Sequence, residues 1–155
     1  MRTGGRATLA VVIAMLIVAA SAAAASAPLP KPGSKWSTSL KGQKYESGSI
    51  AFSVVKQGKR VLAKGTATLH TACFPVEQGQ TLKVGPTHTF SFSGQFDGQA
   101  FVAKKGSSEA LLHWEIRGSL KAKKLVVAYA EETEGPPRIS CGFNETAIGK
   151  LKQKG

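Results

Sequence analysis

The chain predicts an all-β fold: an antiparallel β-sandwich, or a partly open β-barrel, with one disulfide and a signal peptide in front. Three observations carry this expectation. From Gly48 onward, apolar and polar residues alternate at period two in short runs. Gly, Pro and Asp-Gly turn signals separate those runs at spacings typical of antiparallel sheets. No segment of helical period follows the first 27 residues, and the chain holds an even pair of cysteines, Cys73 and Cys141.

The first 27 residues read as a secretory signal. Met1 to Arg6 carry two arginines and no acid, Ala7 to Ala20 are almost wholly apolar, and Ser21 to Ala27 are all Ala or Ser. Charge, apolar run and small-residue region come in the order of a signal peptide. Cleavage after Ala22, Ala25 or Ala27 fits the small-residue rule, although Pro28 would follow the last of these. The alternative is an uncleaved anchor, because Ala7 to Ala27 is long enough to cross a bilayer with roughly 20 apolar residues. The expected location is secreted or extracytoplasmic.

Residues 28–47 hold three prolines, two glycines and many Ser and Lys residues, and read as a flexible linker in which Trp36 is the largest apolar side chain. Residues 48–151 read as the β-domain. In Ile50 to Val55, Ile50, Phe52 and Val54 share a face. Gln57-Gly58-Lys59 reads as a turn, and Val61 to Cys73 is β-rich around Gly65. Phe74 to Pro86 reads as mostly loop, with a short strand at Thr81 to Val84. Phe90 and Phe92 alternate with serines, and Asp97-Gly98 is a hairpin dipeptide. Ala110, Leu112, Trp114 and Ile116 share one face, opposite His113, Glu115 and Arg117. Lys121 to Lys124 turn the chain back to Leu125, Val127 and Tyr129. Glu131 to Pro137 reads as an acidic loop. Ile139 to Cys141 and Ala147 to Leu151 close the domain, and residues 152–155 read as a frayed basic tail. The aromatic residues Phe52, Phe90, Phe92, Trp114 and Tyr129 are expected in the core; a ligand platform is the alternative.

The two cysteines are expected to pair, since an exported chain meets an oxidising compartment. Closing a loop of this length constrains the unfolded chain by roughly 4 kcal/mol. Beyond residue 27 the chain keeps 16 lysines and three arginines against nine acids, a formal charge of +10. Lysine-borne charge attracts polyanions without the planar fork that arginine offers. The candidate polyanion-binding residues are Lys56, Lys59, Arg60 and Lys64, then Lys104 and Lys105, then Lys121, Lys123 and Lys124, with the tail lysines beside them.

The order Gly48-Ser49-Ile50-Ala51-Phe52-Ser53-Val54, a strand into Cys73, Phe90-Ser91-Phe92-Ser93-Gly94, Ile116-Arg117-Gly118-Ser119-Leu120 and a late strand into Cys141 resembles secreted β-domains of actinobacteria and related high-GC bacteria, a group of unknown function. The resemblance covers about residues 48–151. It implies a β-sandwich-like fold with a disulfide, and it carries no catalytic or binding residues.

No catalytic constellation stands out. Asp97 is the only aspartate and sits in a turn signal, and no Gly-x-Ser-x-Gly elbow is present. Carboxylate pairs for glycoside cleavage would have to come from Glu109, Glu115 or the Glu131, Glu132, Glu134 group. His70 and Cys73, with Cys141, offer nitrogen and sulfur of the type zinc takes, but export favours the disulfide, so neither metal nor cofactor is expected. Asn144-Glu145-Thr146 is an N-glycosylation sequon, read as accidental in a bacterial chain. The expected function is a secreted, monomeric, non-catalytic binding module. Its partners would be anionic cell-envelope polymers or lipid headgroups, held through lysines, with no specific nucleic acid. The alternatives are a secreted hydrolase, and a module that binds or inhibits an unknown protein through the proline-containing loops.

Overall fold

The computed structural model describes residues 27–75, 83–107, 110–132, 139–143 and 146–155. The signal-like segment falls outside them, apart from Ala27. The described residues form one antiparallel, 10-stranded sheet. Its strands are β1 (Lys35–Lys41), β2 (Ser47–Gln57), β3 (Arg60–Pro75), β4 (Lys83–Asp97), β5 (Ala100–Lys105), β6 (Leu112–Ser119), β7 (Lys124–Glu132), β8 (Ile139–Gly142), β9 (Ala147–Lys150) and β10 (Lys152–Lys154). Strands β1 to β7 form a meander in which each pairs with the next. Then β9 pairs with β7 on one side and with β1 on the other. The path returns to its start, so the sheet closes on itself. The all-β, antiparallel, disulfide-linked class holds, and its architecture is a barrel rather than two stacked sheets.

Alternation explains the closure. Each strand of the eight-membered ring turns one face inward: Trp36 and Leu40 from β1, Ile50, Phe52 and Val54 from β2, Ala67 and Leu69 from β3, Phe92 and Phe96 from β4, Phe101 from β5, Ile116 from β6, Val127 from β7 and Ala147 from β9. An eight-strand ring has an interior just wide enough for side chains. Aromatic rings fill it here. Phe101 packs edge-on against Phe52 at 5.1 Å and Phe96 at 5.2 Å, and stacks with Phe92 at 6.3 Å. Room for Phe101 comes from Gly118, its direct partner across the β5–β6 pair, where any Cβ would overlap the ring.

Cys73 and Cys141 form a disulfide between directly opposed residues of β3 and β8. A register shift at His70/Ala72 bends β3. Below the shift β3 pairs with β2; beyond it, with β8. Pro86 faces this irregularity, and its carbonyl accepts a hydrogen bond from the buried Thr71 hydroxyl at 2.9 Å. A proline is tolerated there because the ladder is already interrupted.

Two expectations need correction. The segment read as a flexible linker contains β1, with Trp36 9 % exposed and Leu40 2 % exposed. Three inward positions, Trp36, Thr38 and Leu40, are too few to stand out against the Ser, Lys and Gly around them, yet they complete the ring. The basic tail is also partly ordered: β10 pairs with β1 through Lys152, Gln153 and Lys154. The side chains of β10 are all exposed, so only backbone pairing orders it, and hydropathy does not register that. Of the short strand expected at Thr81 to Val84, Lys83 and Val84 open the long β4, and Thr81 and Leu82 lie outside the described residues.

If β1 is a wall of the barrel, Trp36→Ala removes a core side chain. The expected cost is about 3 kcal/mol or more, read as a lower urea midpoint; an unchanged midpoint would return residues 28–47 to linker status.

Candidate functional site

Hairpin turns of an up-and-down barrel alternate between its two ends. At one end lie the β2–β3, β4–β5 and β6–β7 turns, the start of β1 and the β9–β10 junction. Backbone hydrogen bonds tie them together. Leu120 N–H donates to the Gln99 carbonyl at 2.9 Å, Leu151 N–H to the Lys123 carbonyl at 2.9 Å, and Gly33 N–H to the Val54 carbonyl at 2.7 Å. The segment leading into β1 crosses this end: the Gln99 side-chain amide donates to the Pro28 carbonyl, and Pro30 is buried.

Short turns need polar residues and backbone freedom, and this sequence meets that need with lysine. The β2–β3 turn carries Lys56, Lys59 and Arg60 around Gly58 at φ +60°. The β6–β7 turn carries Lys121, Lys123 and Lys124, with Lys123 itself at φ +50°. Lys31 and Lys35 precede and open β1, and Lys150, Lys152 and Lys154 follow from β9 into β10. Among the described residues Asp97 is the one acidic side chain at this end. Some of the lysines face each other directly. Lys124 opposes Lys150 across the β7–β9 pair, and Lys35 opposes Lys154 across the β1–β10 pair. Like charges in direct register destabilise a sheet, so the arrangement costs the fold some stability.

A groove continues this charge along the outer wall. A concavity of about 620 Å³ lies over β1, β9 and β10, with Ser37, Ser39 and Ser49 hydroxyls among its lining and Lys41, Lys150, Lys152 and Lys154 around it. A neighbouring hollow of about 280 Å³ shares Lys154 and adds Lys35, Lys64 and Thr66. Hydroxyls and ammonium groups without a carboxylate can hold phosphate, sulfate or carboxylate groups by charge and hydrogen bonding.

The structure therefore brings together Lys56, Lys59, Arg60, Lys121, Lys123 and Lys124, and sets Lys64 in the adjoining groove. It does not bring Lys104 and Lys105 there. They close β5 toward the opposite end, with Lys104 directly opposite Glu115 and Lys105 opposite Trp114. Sequence reasoning left Lys31 and Lys35 out of the basic clusters. Their signal was position: they flank a strand that went unrecognised.

The residues weighed for catalysis are dispersed. Glu115 accepts a hydrogen bond from Arg117 on the outer wall. Asp97 lies in the β4–β5 turn, as its Asp-Gly sequence predicts. His70 pairs with the Thr87 hydroxyl at 2.9 Å, and both cysteine sulfurs are taken by the disulfide. Among the described residues no group of three His, Cys, Asp or Glu side chains is placed to hold a metal ion. Glu109, Glu134, Asn144 of the sequon, and most of the two proline-containing loops lie outside the described residues.

No family model matches this chain, and neither a curated protein nor a solved structure matches it.

The opposed lysines have a measurable consequence. Lys150→Glu replaces a repulsive cross-strand pair with an attractive one and is expected to raise stability by about 0.5–1 kcal/mol at low salt. The gain should shrink as salt screens the pair. A variant no more stable than the parent at low salt would contradict the placement.

Proposed function

We propose that the protein is an exported, non-catalytic binding module that docks on anionic polymers or phosphate headgroups of the cell envelope through its cationic end. One observation carries the reading. Turns distant in sequence place their lysines at a single end of the barrel, some in direct opposition, with one acidic side chain among them. Repulsion of that kind is relieved when a polyanion supplies the counter-charge, so binding and stability pull in opposite directions at these positions.

Export is supported by the signal-like order of residues 1–27 and by the disulfide, a bond more typical of extracytoplasmic proteins. Ala27 packs beside Gly98 at the cationic end. If the preceding apolar stretch is retained as an anchor, that end sits closest to the membrane surface. If it is removed, the same end is free to meet a soluble or wall-bound polymer. Lysine, a hydrated point charge, suits such loose electrostatic attachment better than base-specific reading of nucleic acid.

The test is binding of the purified protein to polyphosphate and to vesicles containing phosphatidylglycerol, across salt concentrations. Engagement of about four phosphates predicts a fall of roughly 100-fold in affinity between about 50 and 200 mM salt. A Lys121→Gln/Lys123→Gln/Lys124→Gln variant is expected to bind at least tenfold more weakly, whereas Lys104→Gln, at the other end, should bind as the parent does. Salt-insensitive binding, or equal losses from both variants, would defeat the reading. Preference for vesicles over polyphosphate would select the headgroup source, and the reverse the polymer.

A further inference from the structure

The opposite half of the barrel carries a different kind of site. Strands β4 and β5 pair only at Gln95–Asp97 and Ala100–Val102. Beyond Gln95 they part, and β4 leans on side chains of β6 and β7 instead. Four planar rings line up in the gap. His88 lies 5.0 Å from Tyr129 at 34°, Phe90 lies 6.0 Å from Tyr129 at 24°, and Phe90 lies 4.7 Å from Trp114 at 31°. Beside this stack is a hollow of about 160 Å³, lined by His88, Phe90, Leu112, Trp114 and Tyr129, with Lys105 at its edge.

We propose that this hollow binds a small single-ring phenol. Size, shape and polarity each contribute to the choice. A cavity of about 150 Å³ with apolar walls accommodates one benzene-sized ring. The rings around it are near-parallel rather than boxed at right angles, so a further planar ring extends the stack in the offset geometry that aromatic pairs prefer. A cage of perpendicular faces would instead suit an alkylammonium ion, and the Lys105 ammonium opposes one. The polar edge asks for a group that accepts a hydrogen bond. The buried Nε2 of His88 makes no hydrogen bond, though the Glu131 carboxylate stands 3.2 Å away. Lys105, part of the lining, offers the donor to a ring hydroxyl. Tyr129 already donates to Glu131 at 3.5 Å. Burial first, and then the Glu131 charge, push its hydroxyl up to about 12, so it remains protonated at neutral pH.

The site is independent of the cationic end: Lys105 lies at the far end of β5 from the β4–β5 turn.

The experiment is titration of the purified, isotope-labelled protein with phenol, following the indole N–H signals of its two tryptophans. The expected result is a saturable shift of the Trp114 signal with a dissociation constant of about 0.1–1 mM, while the Trp36 signal stays fixed. Toluene, which matches the ring but lacks the hydroxyl, should bind at least fivefold more weakly. Lys105→Met, an exposed substitution that leaves the core alone, should remove most of that preference. No saturable Trp114 shift up to 10-fold above about 1 mM phenol would overturn the proposal. So would equal affinity for toluene, or displacement of phenol by tetramethylammonium.

Discussion

Strand β9 is four residues long, and the rest of the structure depends on what it pairs with. One edge takes β7 at Lys124–Val127, and the other takes β1 at Leu40 and Lys41. Without both pairings the meander from β1 to β7 would be an open, twisted sheet with two bare edges, a shape prone to pairing with other chains. With them, the inward faces of the eight ring strands meet in one hydrophobic core. Gly149 makes this close approach feasible: a Cβ there would collide with the Thr38 hydroxyl and the Ser39 carbonyl. The disulfide acts at the other end of the same ring. It joins β3 to β8, and β8 also pairs with β7, so the two sides of the barrel are bridged where β9 no longer reaches.

Closure also sorts the surface. A meander sends alternate turns to opposite ends, so lysines in alternate turns accumulate at one end whatever their separation in sequence. The sorting sets Lys124 against Lys150 and Lys35 against Lys154. A fold under selection for stability alone gains by breaking such pairs. Their presence is coherent if that end meets negative charge. The other end is left to the parting of β4 from β5, where aromatic rings, the three histidines, a few carboxylates and lysines such as Lys44 and Lys104 gather. One closed sheet thus presents two chemically unlike ends.

The strongly alternating strands were legible in the sequence. Ile50, Phe52 and Val54, Trp114 and Ile116, and Leu125, Val127 and Tyr129 all face inward as their period predicts. The Asp97-Gly98 and Gln57-Gly58 turns fall where their residues require, and the cysteines pair as an exported chain suggests. Strands β1 and β10 were not legible, for a physical reason. In β1 three inward residues are hidden among Ser, Lys and Gly, and β10 is ordered by backbone pairing to a partner far away in sequence; local composition records neither. The choice between sandwich and barrel was hidden for the same reason, since it rests on β9 meeting β1 across more than a hundred residues of chain. The basic clusters were visible as clusters. Which of them share an end follows only from strand order, and so Lys104 and Lys105 separated from the rest while Lys31 and Lys35 joined.

The most direct test of this account is native-state hydrogen exchange of the backbone amides in β1 and β9. In a closed ring these strands have partners on both edges, and their amides open only with the whole barrel. The account predicts that the hydrogen-bonded amides of Leu40, Lys41, Ile148 and Gly149 as a group exchange as slowly as those in the centre of β3. Rapid exchange in β1 and β9, with β3 protected, would mean that the sheet is open and that its two ends are not the surfaces described.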